Sequence, residues 1–305
     1  MKILIPVPDR DYYAWQVLVQ IANFRTFGYE ADTTYLVSYK KRISPNMERI
    51  MKDPTMKCKF IPIEDKRVNP RYPPGMAIYT AREYFKINPE YGKGAFMYAD
   101  PDIIFSRRMD FTPYLNDDIW YGSNVAGYIG APYIKGKGDA LLTEMCNIVD
   151  LPRDMVENTT NDCIGAQYIL KNVDWTYWDE VYNISEILYQ HLKNTSSKYN
   201  PKHPIQAWTA DMWVRLWLAW KKGITTKATG ELKTFCWANH KIANWHKYPI
   251  YHNAGATKAV GDEHFKKVEY STPFKQDIKV SPDSASSKFV EWIKKTERIF
   301  PNLIW

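Results

Sequence analysis

Hydrophobic positions in the first hundred residues follow two alternating periods. Ile3, Leu4, Ile5 and Val7 form an apolar run that reads as a buried strand over 3–7. Residues 12–27 then place Trp15, Leu18, Val19 and Ala22 at helical spacing. The pattern stops at Gly28, a residue suited to a left-handed helix end. The β-branched and aromatic stretch 33–39 and the shorter 59–63 predict strands. A proline-rich loop, 69–75, introduces a predicted helix over 76–85. Residues 95–99 predict an apolar strand that ends abruptly in Asp100-Pro101-Asp102. This β-α-β-β-α-β order predicts an α/β fold with a largely parallel sheet covered by helices.

The second half is less regular. The glycine-rich 122–138 predicts a strand flanked by loops, and the apolar 164–170 precedes a polar and aromatic stretch. Over 209–222 Met212, Trp213, Leu216, Trp217 and Trp220 share one side of an amphipathic helix, which makes most of those tryptophans core residues. Phe289, Trp292, Ile293 and Ile299 predict a docked terminal helix within 284–300. No repeat or low-complexity linker divides the chain. The expectation is one domain with a C-terminal helical extension.

Composition narrows the class. The 305 residues are 45% hydrophobic and 25% charged, which excludes disorder and collagen-like repeats. No apolar run approaches the ~18–20 residues that cross a bilayer, so no membrane partner is expected. Residues 1–8 read as a first strand rather than a secretory leader, which predicts a cytoplasmic protein. Four scattered cysteines with no CxxC pair predict buried free thiols. Aromatic residues reach 15%, enough for a large aromatic core and equally suited to stacking on sugars or bases. The net charge of +7 lies wholly in 221–305, where 15 basic residues face 8 acidic ones; residues 1–220 are neutral. A basic segment on a neutral body suits a polyanionic partner such as DNA, and equally a solvated lysine-rich face.

Three signals carry candidate chemistry. In Tyr98-Ala99-Asp100-Pro101-Asp102, two carboxylates stand one residue apart where an apolar strand runs out, the place where open α/β sheets collect ligands. Such a pair suits a hard divalent cation, Mn²⁺ or Mg²⁺, although an isolated DxD often only caps a turn. His252, in Tyr251-His252-Asn253-Ala254-Gly255, adds an imidazole in a polar loop; a lone histidine is more often structural, and here it would favour Mn²⁺. The third signal is a pair of segments, Asn161 to Gln167 and Gln206 to Met212, holding Asp162, Gln167 and Asp211. There Thr209 could simply cap the following helix, with Asp211 in its first turn. By position, the loop after the first strand (Pro6, Val7, Pro8, Asp9, through Asp11) would border a nucleotide. Arg71 and Arg82 are weaker candidates for its diphosphate, against the alternative of surface ion pairs.

In order along the chain, strand-DPD, Ile-Gly-Ala-Gln-Tyr, Ala-Trp-Thr-Ala-Asp-Met-Trp and His-Asn-Ala-Gly resemble GT-A fold retaining glycosyltransferases. The set is similar to hydroxyproline O-arabinosyltransferases and peptidyl-serine galactosyltransferases, with a phage branch that glycosylates hydroxymethylpyrimidines in DNA. The resemblance spans 1–256, expected as the GT-A domain, and leaves 257–305 as the extension. It implies a GT-A (Rossmann-like) mixed sheet flanked by helices, a UDP-sugar donor and a divalent metal. It further implies transfer with retention, leaving nucleophilic and front-face routes open. Asp100 and Asp102 carry over as the DxD pair, with Asp100 toward the ribose or metal, and His252 as the third metal ligand. Asp211 and Gln167 carry over to the anomeric carbon, with Asp162 as the alternative carboxylate. The strand-like N-terminus predicts none of the membrane anchor of the plant and algal enzymes, so the expected acceptor is hydroxymethylcytosine DNA rather than a secretory peptide. A protein, lipid or glycan acceptor is the alternative, and a non-catalytic carbohydrate- or nucleic-acid-binding protein is the further one.

Overall fold

The computed structural model describes residues 1–68, 70–255 and 264–305. Strands in chain order are β1 (Lys2–Pro8), β2 (Thr33–Tyr39), β3 (Lys59–Glu64), β4 (Ala95–Tyr98), β5 (Ile103–Phe105), β6 (Trp120–Asn124), β7 (Ile164–Lys171), β8 (Thr226–Lys227), β9 (Cys236–Trp237) and β10 (Ile250–His252). Helices are α1 (Asp11–Phe27), α2 (Pro45–Lys52), α3 (Gly75–Ile87), α4 (Ala126–Ile129), α5 (Ala131–Lys135), α6 (Asp139–Val149), α7 (Arg153–Asn158), α8 (Trp175–Thr195), α9 (Ala210–Lys221), α10 (Ile242–Lys247) and α11 (Ser286–Ile299). The chain forms two compact units.

The first unit comprises Met1–Glu64, Ala99–Phe111 and Thr234–Trp305. Its strands β1, β2 and β3 pair in parallel, and β10 pairs antiparallel with β5 and parallel with β9. Helix α1 is buried on every side from Ala14 to Phe24, so its apolar stripe widens into a near-continuous core segment. Gly28 closes it at φ 82°, the left-handed conformation that a side chain would oppose. Trp15 meets Phe289 of α11 edge-on, which fixes the terminal helix against α1.

The second unit comprises Asp65–Tyr98 and Thr112–Lys233. Here β4 and β6 both pair antiparallel with β7, and β6 pairs in parallel with β8. Helices α3 and α8 pack together, as do α8 and α9. Trp213 and Trp217 are fully enclosed and Trp220 nearly so, as the spacing in α9 predicts. The fold is thus α/β with mixed strand directions and flanking helices.

Three local readings change. Helix α2 separates β2 from β3; only Met47 and Ile50 are buried in it, too few to announce a period. The 122–138 stretch holds the end of β6 and then α4 and α5, whose start Pro132 tolerates because it falls in the first turn. The polar and aromatic stretch after β7 forms the 21-residue α8, and Asp174 caps it by accepting from the Tyr177 N–H. All four cysteines are free and buried, as expected. Among the described residues no helix is long and apolar enough to cross a membrane.

Candidate metal centre and carboxylate sites

The Asp100-Pro101-Asp102 turn is fastened from several directions within the first unit. The Ala99 N–H donates 3.2 Å to the Leu4 carbonyl of β1. From α1 the fully buried Gln20 donates to the Asp100 carbonyl at 3.0 Å and the Ile103 carbonyl at 2.7 Å. Tyr35 in turn donates to Gln20 Oε1 at 3.0 Å, which fixes the orientation of the side-chain amide. One turn on, Asn23 exchanges two 2.9 Å hydrogen bonds with the Phe105 backbone. These polar side chains in an apolar helix are explained by the turn they hold. Replacing Gln20 by leucine is expected to cost about 1–3 kcal/mol of stability, since two backbone acceptors lose their donor in a dry setting. Urea unfolding checks this, and an unchanged midpoint would contradict it.

Strand β10 brings His252 to the same turn through its register with β5, and the Asn253 N–H donates 3.0 Å to the Asp102 carbonyl. The His252 ring lies parallel to Trp237, with centroids 6.0 Å apart, and Phe235 tilts against it. Its Nε2 stands 3.3 Å from Asp102 Oδ1 and 3.8 Å from Asp100 Oδ2. One ligand atom from each of these three residues can be chosen with all three within 4.8 Å of one another. Asp102 is buried and Asp100 half exposed, so the cluster opens on one side.

A sequence reading did not find Lys267. Its Nζ donates to Asp102 Oδ2 from a short 3-10 turn, Lys267–Glu269. Burial opposes the charged form of Asp102, but the Lys267 ammonium and then the His252 ring outweigh it. They hold the carboxyl well below the usual range. Burial, with the Asp102 charge beside it, pushes the Tyr12 phenol up to about 12. Two carboxylates and an imidazole, with a cationic group already drawn to the buried one, fit a divalent ion.

The nucleotide-loop candidates lie in the same unit. Pro6 and Val7 are buried inside β1, while Pro8 and Asp9 are partly exposed at its end. Asp9 accepts from the Ser44 N–H at 2.7 Å and from the Ser44 hydroxyl at 2.6 Å.

The second unit holds the remaining candidates. Asp211, in the first turn of α9, accepts from the Tyr72 hydroxyl on Oδ1 and from Arg215 Nη2 at 2.8 Å on Oδ2. Burial, with the Asp211 charge next in weight, pushes the Tyr72 phenol far up and keeps it a donor. Arg215 is buried among Tyr98, Tyr168 and Trp178, with its guanidinium carbon 4.8, 4.7 and 5.7 Å from the three ring centroids. Thr209 occupies the cap position but does not cap α9; its hydroxyl donates to the Gln206 carbonyl instead.

Gln167 sits where β7 loses register with β6. Gly122 pairs with Tyr168 and Ser123 with Gly165, so Ala166 and Gln167 bulge out of the ladder. Ala166 takes φ 64°, and a Cβ at Gly122 would meet the Gln167 carbonyl at 2.8 Å. The Gln167 amide donates to the Ser123 hydroxyl, while its buried Oε1 has no hydrogen-bond partner. Asp162 is partly buried, and its carbonyl accepts from Thr226 at 2.7 Å. Arg71 is exposed. Arg82 pairs with Asp179 and Glu83, both at 2.8 Å, the surface ion pairs weighed for it.

No family model and no curated protein matches the chain. Among solved structures the bifunctional glycosyltransferase WbbM, in its apo form, matches with TM-score 0.50 and 11% identity, over 85% of this chain and 46% of that one. The chain therefore spans about half the length of WbbM. Galactosyltransferase LgtC, in complex with donor and acceptor sugar analogues, matches with TM-score 0.46 and 12% identity, over 96% and 95% of the two chains. Mouse xyloside xylosyltransferase 1 in its apo form matches with TM-score 0.43 and 9% identity, over 85% and 99%. At such identities a shared fold is what the likeness to WbbM shows. The chain has the α/β fold of GT-A glycosyltransferases.

Proposed function

We propose that the protein is a divalent-metal-dependent retaining glycosyltransferase that moves a sugar from a UDP-sugar to a hydroxyl acceptor. The observation that carries this is the Asp100, Asp102 and His252 cluster in a chain with that fold. Asp102 and His252 would hold Mn²⁺ or Mg²⁺, with Asp100 completing the set or reaching the donor ribose. The ion supplies Lewis-acid neutralisation of a departing diphosphate. Pro8 and Asp9 border the nucleotide, with Pro6 and Val7 forming the strand beneath them, and Arg71 is the stronger of the two arginine candidates. Asp211 steadies positive charge developing on the sugar ring. Its two oxygens are already committed to Tyr72 and Arg215, which favours a fixed charge over a nucleophile and therefore front-face retention. Gln167 is the neutral partner at the anomeric carbon, and Asp162 the alternative carboxylate. The GT-A domain is taken as 1–256, with 257–305 as its extension.

For the acceptor we propose 5-hydroxymethylpyrimidine in DNA, as in the phage branch, which places the enzyme in the cytoplasm. The support is the basic surplus after residue 220. Lys221 and Lys222 are bound to Asp150 and Glu180, whereas Lys227, Lys233, Lys241 and Lys247 are exposed; Lys258 lies outside the described residues. If the four exposed lysines each neutralise a phosphate, DNA affinity should fall about 10²-fold between ~50 and ~200 mM salt. Binding by fluorescence anisotropy checks this, and salt-independent affinity would contradict it. The acceptor itself is tested by mass spectrometry of nucleosides after incubating hydroxymethylcytosine DNA with candidate UDP-sugars. A sugar adduct on that base is expected. Its absence with every donor, where the same donors are turned over, would point to a protein, lipid or glycan acceptor.

A further inference from the structure

We infer that Lys267 is a tethered cation that competes with the metal ion for Asp102 and sets how readily the site loads. The inference rests on the metal-site reading above. Both Asp102 oxygens are taken: Oδ1 faces His252 Nε2 at 3.3 Å, and Oδ2 accepts from Lys267 Nζ. The Lys267 side chain is 13% exposed and that of Asp102 6%, so the pair is largely withdrawn from water. Lysine is strongly hydrated and loses rotamer freedom on burial, which makes such a contact costly unless the carboxylate it meets has a large need for positive charge. A divalent ion bound by Asp100, Asp102 and His252 answers the same need with more charge.

One buried carboxylate carries a single negative charge, so an ion held at Oδ1 and the ammonium at Oδ2 would share it and repel each other at close range. Loading is therefore opposed until the ammonium loosens its hold. Its anchor permits this, because Lys267 stands at the start of a three-residue turn whose Val268 is 60% exposed and whose Glu269 is exposed as well. When most molecules hold the Lys267–Asp102 pair, the apparent metal affinity is the intrinsic one reduced by the fraction that is open. In the metal-free chain the same pair neutralises a carboxylate that would otherwise sit buried beside the His252 ring alone.

The test is Mn²⁺ affinity, read by electron paramagnetic resonance of the free ion with full-length protein. Lys267→Gln should bind Mn²⁺ at least about tenfold more tightly than the wild type, while Lys267→Arg, which keeps the tethered charge, should stay near the wild-type value. Wild-type protein provides a second reading that needs no variant. Acetylation of Lys267, followed by peptide mass spectrometry, should rise when Mn²⁺ is added, because the ammonium is released from Asp102. Equal Mn²⁺ affinity for wild type and Lys267→Gln, or acetylation that Mn²⁺ leaves unchanged while it binds, would overturn the inference alone. Failure of Mn²⁺ to bind either protein would overturn the metal site itself and the inference with it.

Discussion

Asp102→Asn is expected to abolish detectable Mn²⁺ binding and to lower sugar transfer by at least about 10²-fold. Metal-assisted neutralisation of a leaving group is worth several kcal/mol of barrier, and each ~1.4 kcal/mol is a factor of ten. Asparagine keeps the shape and one acceptor oxygen but removes the negative charge on which His252 and Lys267 converge. The loss should therefore appear in binding as well as in rate. Parallel titration of Mn²⁺ and measurement of transfer separate this from simple unfolding, which near-ultraviolet circular dichroism reports. An Asp102→Asn protein that remains fully active in EDTA would remove the metal from the account.

Asp211→Asn should act differently. Its expected effect is a fall in kcat of about 10²–10³-fold with donor KM little changed, as for a charge that matters mainly in the transition state. The substitution also leaves Arg215 buried without its carboxylate, surrounded by Tyr98, Tyr168 and Trp178. Breaking such a pair costs about 3–5 kcal/mol, so the melting temperature should fall as well. Tyr72→Phe separates the two effects: it removes the donor to Asp211 Oδ1 but keeps the charge and the Arg215 pair. That variant should retain most of its turnover. If Asp211→Asn raises KM and leaves kcat intact, Asp211 is a binding residue or only the partner of Arg215.

The parts of this account that were legible in the sequence are those with short-range grammar. A strand that runs out into Asp100-Pro101-Asp102, a helix that stops at Gly28 and the tryptophan stripe of α9 each declare themselves within a dozen residues. His252 could be nominated because its loop was polar and glycine-containing. Its partnership with Asp102 depends on β5–β10 pairing across nearly 150 residues of chain, which no local pattern carries. Lys267 was one lysine among many in a basic segment, and only the fold brings it to Asp102. Gln20 and Asn23 offered a faint signal, as amides at i and i+3 that, with Gln16, interrupt an apolar helix through its middle. Asp211 was nominated as a carboxylate, but its i,i+4 partner Arg215 was passed over, because the tryptophans around it point toward packing. Helix α8 was missed because aromatic and polar residues are mixed through it, while its cap, Asp174, became meaningful only with the helix in place.

Release of UDP reports the donor chemistry itself. Purified protein is incubated with a panel of UDP-sugars and Mn²⁺, with and without hydroxymethylcytosine DNA, and released UDP is quantified. UDP release is expected from at least one donor, stimulated by the correct acceptor, suppressed by EDTA and absent in Asp102→Asn. UDP release that proceeds undiminished in EDTA, or none from any donor with Mn²⁺ and acceptor present, would contradict it.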